Sequence, residues 1–407
     1  MHADALALPR APRRANGWGR RDIADSIGGE SRTRRRQGRS DPARSVAAWL
    51  FACCALVFAM VVVGGVTRLT HSGLSIVEWQ PIVGTLPPLT DAAWQEAFAK
   101  YQQTPEFRLV NHAMDAHAFK GIFWWEYFHR LLGRAIGVVF VVPLAWFALR
   151  RHISMALARR LAAIFVLGGL QGAMGWYMVQ SGLVDDPRVS HFRLTAHLGL
   201  ALAIFAAMFW IALSIVRDGE GTRRGERSRA GAPLTPVGNA AADVTLRRLR
   251  HASACLAALV FAMALTGGMV AGIRAGMAYN TFPSMNGHVV PPEILMLEPW
   301  YLNPSYNMAT VQFDHRAIAW LLAFAVPALW LAVMRNAATS RPARIAASLF
   351  AGMLAVQIAL GIATLVLRVP VPLAALHQAG AVLLFAASLN VAHVLRAGGT
   401  PRAASRH

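Results

Sequence analysis

The sequence predicts an all-α integral membrane protein whose eight transmembrane helices form two tandem, duplicated four-helix bundles. Three observations predict it. Hydrophobic residues make up 56% of the 407 positions and gather in long runs, a share that soluble chains of this length rarely carry. The connections between the runs alternate between arginine-rich and nearly neutral. The order of motifs in the first half returns in the second.

A helix needs about 20 apolar residues to cross the hydrocarbon. Runs of that length stand near 46–66, 122–148, 161–181, 192–216, 251–273, 312–334, 345–367 and 374–395. The connections 149–160, 217–250, 335–344 and 396–407 are rich in arginine, while 67–121, 182–191, 274–311 and 368–373 are not. The net charge of +20 comes almost wholly from arginine, since Lys100 and Lys120 are the only lysines. The positive-inside rule puts the arginine-rich set in the cytoplasm, so the surplus reads as topology rather than as a nucleic-acid surface. Both termini are then cytoplasmic, and the long connections 67–121 and 274–311 face outward.

Residues 1–45, with eleven arginines up to Arg44 and few large apolar side chains, predict a disordered basic cytoplasmic tail. Residues 46–216 form the first bundle, 217–250 a flexible cytoplasmic linker, 251–396 the second bundle, and 397–407 a short tail. Cys53, Cys54 and Cys255 lie within apolar runs and suggest packing residues, not a disulfide framework.

The two halves align motif by motif. "GGVTRLTHSGLS" (64–75) answers "GGMVAGIRAGMA" (267–278), and "EYFHRLLGR" (126–134) answers "VQFDHRAIAW" (311–320). "LGGLQGAMGW" (167–176) answers "MLAVQIALGI" (353–362), and "RLTAHLGLA" (193–201) answers "LAALHQAGA" (373–381). The order is the same in both, so the repeat is parallel.

The duplication singles out His129 and His197 in the first half and His315 and His377 in the second, each near the outer end of its span. Two imidazoles facing across a four-helix bundle suit haem, whose iron takes two axial nitrogens. Zinc would want three or four ligands together. One such pair per half implies two haems near the outer surface. A lone membrane histidine can equally serve as a hydrogen-bonding group between helices, but four at matching places argue against that. His71, His112, His117, His191, His288 and His393 lack this repeated placement and are not candidate ligands.

Each half is a control for the other. Glu126 stands three residues before His129, whereas Gln312 stands three before His315. Residues three apart share a helix face, so only the first half places a carboxylate by its histidine. Glu126 reads as a general base or charge stabiliser beside a reacting haem, or as an interfacial carboxylate paired with Arg130 or Lys120. No span supplies the further glutamates that a di-iron bundle needs. Arg130 and Arg316 follow the histidines and read either as propionate contacts or as snorkelling side chains. The aromatics Trp79, Trp94, Phe98, Tyr101 and Phe107 of the first outer loop read as a cap over a haem edge or as interfacial residues.

These motifs resemble those of the haem A synthase family of the alphaproteobacterial and mitochondrial type. The resemblance rests on "GGVTRLTHSGLSIVEWQPIVGTLPPL" (64–89), "FKGIFWWEYFHRLLGR" (119–134), "AGMAYNTFPSMNG" (275–287), "TVQFDHRAIAW" (310–320) and "ALHQAGA" (375–381). It implies oxidation of the C8 methyl group of haem O to a formyl group, giving haem A for cytochrome oxidase. It further implies that His129 and His197 ligate the substrate haem, that Glu126 is catalytic, and that His315 and His377 ligate a haem b cofactor. The implied setting is a bacterial inner membrane, with lipid around the spans and haem sites near the periplasmic face. The electron donor is left unnamed, and docking with the farnesyltransferase that makes haem O (haem O synthase) is left open. The segment "NHAMDAHAFK" (111–120) departs from the family pattern. The outer loops lack the cysteine pair of a related bacterial type. Two further classes compete: a two-haem electron carrier of the membrane cytochrome b kind, which needs the histidines but not Glu126, and a transporter, which would place its polar residues at mid-membrane.

Overall fold

A computed structural model of the chain describes residues 42–79, 83–183, 189–228 and 240–397. Each expected span is a helix long and apolar enough to cross a bilayer. These are α1 (Pro42–Leu69), α2 (Ala116–Leu149), α3 (Met155–Gln180), α4 (His191–Ser228), α5 (Ala240–Gly272), α6 (Met308–Arg335), α7 (Arg341–Val366) and α8 (Val371–Ala397). Their starts follow local chemistry. The side chains of Asp115, Ser154 and Ser340 accept the backbone N–H three residues on, at Ala118, Leu157 and Ala343, which satisfies donors that a helix start leaves free. Pro42 opens α1 and Pro342 lies in the first turn of α7, where a missing N–H costs nothing.

The helices pack in the same order in both halves. α1 and α3 each touch α2 and α4, while α5 and α7 each touch α6 and α8. The halves meet through α4 against α5 and through α8 against α1 and α4. One apolar core runs through both, including Leu50, Cys53, Val57, Leu202, Phe205, Met208, Val260, Val382 and Phe385. Cys53 and Cys54 are buried free thiols, as packing residues should be, while Cys255 is exposed. The outer helices turn large apolar side chains outward, among them Val142, Trp146, Leu170, Phe324 and Leu349. A surface of that kind with every backbone group bonded inside helices is what a bilayer demands; the chain is a multi-pass membrane protein.

Two boundaries differ from expectation. The segment 217–250 is helical at both ends, because α4 runs on to Ser228 and α5 already begins at Ala240. Extending an existing helix needs no new nucleus, so arginine-rich residues simply continue the spans. Likewise residues 42–45 belong to α1 rather than to the tail. The tail before residue 42, the middle of the linker and residues 398–407 lie outside the described residues.

The first outer loop has structure of its own. Short helices at Asp91–Gln102 and Pro105–Leu109 bring Phe98 and Tyr101 against Phe119, Phe123 and Tyr127 at the start of α2, with Trp94 and Phe107 packed alongside. Four of the five loop aromatics therefore make a small core above the bundle. Trp79 stays exposed, with the Arg130 guanidinium 5.7 Å from its ring centre.

Candidate functional site

The four repeated histidines enter from the same end of the molecule, on α2, α4, α6 and α8. His197, His315 and His377 lie within about two turns of their helix starts. His129 lies farther along α2, which begins in the aromatic cap. His129 and His197 sit close enough to act on each other electrostatically, as do His315 and His377.

Each imidazole is seated against a glycine of the preceding helix. A methyl group on Gly64 would stand 2.9 Å from His129 Nε2, and one on Gly175 would stand 3.1 Å from His197 Cε1. In the second half, one on Gly267 would stand 3.4 Å from His315 Cε1, and one on Gly361 would stand 2.9 Å from His377 Cε1. Odd-numbered helices thus give the recess and even-numbered helices give the ring. Interiors this dense leave little room for a side chain there.

Glutamines hold the second histidine of each half. Gln171 Nε2 donates to the backbone carbonyl of His197 at 3.0 Å and lies 3.3 Å from its Nε2. Gln357 Nε2 donates to the carbonyl of His377 at 2.9 Å. Reasoning from the sequence used "LGGLQGAMGW" and "MLAVQIALGI" only as markers of the repeat, although the glutamine is the polar residue they share. The imidazole Nδ1 atoms of His197 and His377 are buried and make no hydrogen bond.

Glu126 is 2% exposed and four donors converge on it. Its Oε2 accepts from Ser75 Oγ at 2.7 Å and from the Ile76 N–H at 2.8 Å. Its Oε1 accepts from Arg130 Nε at 3.0 Å and Nη2 at 2.6 Å, an ion pair one helical turn long. Arg130 also donates to the carbonyls of Glu78 and Ile76. Glu126 and Arg130 together pin the loop 75–78 onto α2. Lys120, the other expected partner, lies instead over the Trp94 ring at 5.2 Å.

The second half has the same clamp with different chemistry. Gln312 Nε2 and Arg316 Nη2 both donate to the Tyr279 carbonyl at 3.0 Å, and Arg316 Nη1 donates to that of Ser284 at 3.2 Å. Both arginines expected at propionates are thus engaged by the outer loops. A carboxylate accepts where an amide donates, so the Glu-for-Gln difference is matched to what each loop presents.

Glu106 is a residue that the sequence reading missed. It is 5% exposed, and its Oε2 has no hydrogen-bond partner. Burial, and next the charge of Glu126, push its carboxyl up to about 8, against a smaller opposing pull from Arg68. Arg68 donates across the junction to the carbonyls of Ala271 and Gly272 at the end of α5. No spacing rule marks a lone glutamate in "TPEFRL". Three other histidines have structural places. His71 lies 3.3 Å from Arg274 Nη2, and burial with these cations nearby holds its imidazole below the ordinary range. His191 packs edge-on to Tyr306, and His393 bonds Ser214 Oγ at 3.1 Å.

The residues present fit haem. Each half offers two imidazoles recessed against glycine, and in each the second histidine, His197 or His377, has a buried Nδ1 that no protein group satisfies; a buried nitrogen of that sort is costly unless something fills it. Among the described residues no group of three or more His, Cys, Asp or Glu could hold a bare ion.

The comparisons with known proteins agree. A protein of Nitrosospira multiformis named haem A synthase is 59% identical over 353 residues, covering 87% of this chain and 94% of its own. That of Nitrosomonas eutropha is 52% identical (86% and 93%), and that of Paramagnetospirillum magneticum 47% (88% and 97%). Residues 47–389 match the family described as cytochrome oxidase assembly protein, COX15-CtaA. With recessed histidine pairs, eight spans and identity of this extent, the chain belongs to that family.

Proposed function

We propose that the protein is a haem A synthase, an oxidoreductase that converts the C8 methyl group of haem O to a formyl group. The observation that carries this is the repeated seat: a histidine pair in each half, every ring set against a glycine. In this reading His129 and His197 hold the substrate haem, while His315 and His377 hold a haem b cofactor. A haem b held by His315 and His377 would supply one-electron chemistry. The arginine-rich ends face the cytoplasm and the histidine seats lie near the outer face. The matching order of helix contacts supports descent of the two halves from one four-helix unit.

Glu126 acts on the first half as a fixed charge rather than as a proton acceptor. All of its lone-pair directions are taken by Ser75, Ile76 and Arg130. A carboxylate held in place by prior hydrogen bonds can stabilise positive charge that develops at the reacting carbon without first reorganising. Arg130 and Arg316 hold the outer loops, and propionates would meet whichever of their donors is left.

Expression of the full chain in a bacterium lacking its own enzyme, followed by haem extraction and chromatography, tests the reading. Haem A is expected from the wild type, and haem O without haem A from Glu126→Ala. The clamp seen at Glu126 would serve a two-haem electron carrier equally well. Bound haem with no haem A from the wild type would establish that alternative.

A further inference from the structure

Three of the four candidate ligands have no hydroxyl at Nδ1. The fourth does: His315 Nδ1 lies 2.8 Å from Thr266 Oγ1. The same hydroxyl donates to the Met263 carbonyl at 2.9 Å. A hydroxyl has one hydrogen. With His315 binding iron through Nε2, its proton sits on Nδ1, and the hydroxyl accepts that proton while giving its own hydrogen to Met263. This is the arrangement in which outer partners of metal-bound histidines fix the tautomer, orient the ring and raise its basicity. Gly267, the next residue, packs against the same edge of the ring, at Cε1. The matching place before Gly64 in the first half is Val63, whose side chain can neither accept nor donate.

We propose that Thr266 is a positioning residue for His315 and makes the second-half haem a resident group. Val63, by the same logic, leaves His129 without an orienting partner, so that the first half can take in a haem and release it. This rests on the reading of His315 as a haem ligand and goes beyond it, because it assigns the difference in residence to one side-chain hydroxyl. In each of α1 and α5 the first glycine of a Gly-Gly pair faces the histidine of the next helix, while the second faces Gln378 from α1 and Thr195 from α5.

The test uses full-length protein purified with its haem from membranes. Haem content, the midpoint potential of the resident haem and its rate of transfer to apomyoglobin are measured for wild type, Thr266→Val, Thr266→Ser and Val63→Thr. Thr266→Val is expected to speed haem loss by about tenfold or more and to raise the potential, since a less basic imidazole stabilises ferric iron less. Thr266→Ser should restore both. Val63→Thr should slow release of the first-half haem. Should Thr266→Val fail to fold, the Val63→Thr release rate decides the matter by itself. Wild-type loss rate and potential in Thr266→Val, beside a His315→Ala variant that loses the resident haem, would overturn the proposal and leave the ligand reading standing. An unchanged haem spectrum in His315→Ala would overturn the ligand reading itself.

Discussion

The two halves of the molecule share a scaffold and differ in three side-chain choices near the histidines. Both place a ring from an even-numbered helix against a glycine of the preceding one. Both use a glutamine to hold the carbonyl of the second histidine. Both clamp an outer loop from a residue three before the first histidine and an arginine just after it. The first half has an ion pair in that clamp, no hydroxyl at its first histidine, and an aromatic cap. The second has a clamp of glutamine and arginine without an acid, and a threonine that fixes its histidine. The lesson is that the seat is common property, while charge and anchoring are set separately, which suits one haem acted on and another kept.

The largest expected effect breaks the comparison outright. His315→Ala or His377→Ala should strip the resident haem, seen as loss of its absorption in purified protein. His129→Ala or His197→Ala should leave that absorption in place and lower haem A output by more than about a hundredfold, beyond the scale set by loss of outer-layer partners. The reverse pattern would exchange the roles of the halves.

Next come the glycine seats. Overpacking a dense site costs about 1–3 kcal/mol. Gly64→Ala and Gly361→Ala place a methyl 2.9 Å from a ring atom, whereas Gly267→Ala places it at the 3.4 Å of an ordinary contact. Haem A output should fall in the first, resident haem in the second, and little should change in the third. Equal losses at Gly361 and Gly267 would mean that the seats are not what holds the rings.

Exchanging the clamps sharpens the charge difference. Glu126→Gln keeps a side chain of the same size but turns one acceptor into a donor facing Ser75, Ile76 or Arg130. Gln312→Glu turns an oxygen toward the Tyr279 carbonyl, which needs a donor. Leaving such a group unsatisfied costs about 1–3 kcal/mol, so thermal melting should drop in both variants. Only Glu126→Gln should lower turnover by about a hundredfold or more at unchanged haem content, the scale of removing one charge-stabilising group. Loss of turnover in step with loss of folding would make Glu126 a loop anchor and nothing more.

Much of this was legible in the sequence because it rests on period and repetition. Apolar runs of spanning length marked the eight helices. Repetition drew attention to His129, His197, His315 and His377. Three-residue spacing drew attention to Glu126, but spacing cannot say which lone pairs a loop fills, so the Ser75 and Ile76 contacts were hidden. The orienting role of Thr266 depends on a side-chain rotamer, and the burial of Glu106 on a loop folding down over α2. The helical ends of the linker were missed because glycines at 219, 221 and 225 read as breakers, while a preformed helix can run through them.

The smallest effect concerns the outer loops, and here the halves should respond to pH with opposite sign. Burial raises the Glu106 carboxyl from its ordinary 4.5 to about 8. Between those values the folded cap keeps a proton that the unfolded segment gives up, so the stability this group contributes is greatest below 4.5 and drains away as pH climbs towards 8. Glu293 in the second outer loop is the reverse case. The Tyr279 hydroxyl donates to it at 2.5 Å and lowers its carboxyl, so its contribution is present above the ordinary value and is lost only in acid. Hydrogen exchange of residues 91–109 should therefore quicken as pH rises through the Glu106 window, after correction for intrinsic rates, while that of residues 279–308 should not. Glu106→Gln should flatten the first response without touching the second. A flat response in the wild type would mean that Arg68 holds Glu106 charged throughout, and the cap would then depend on aromatic packing alone.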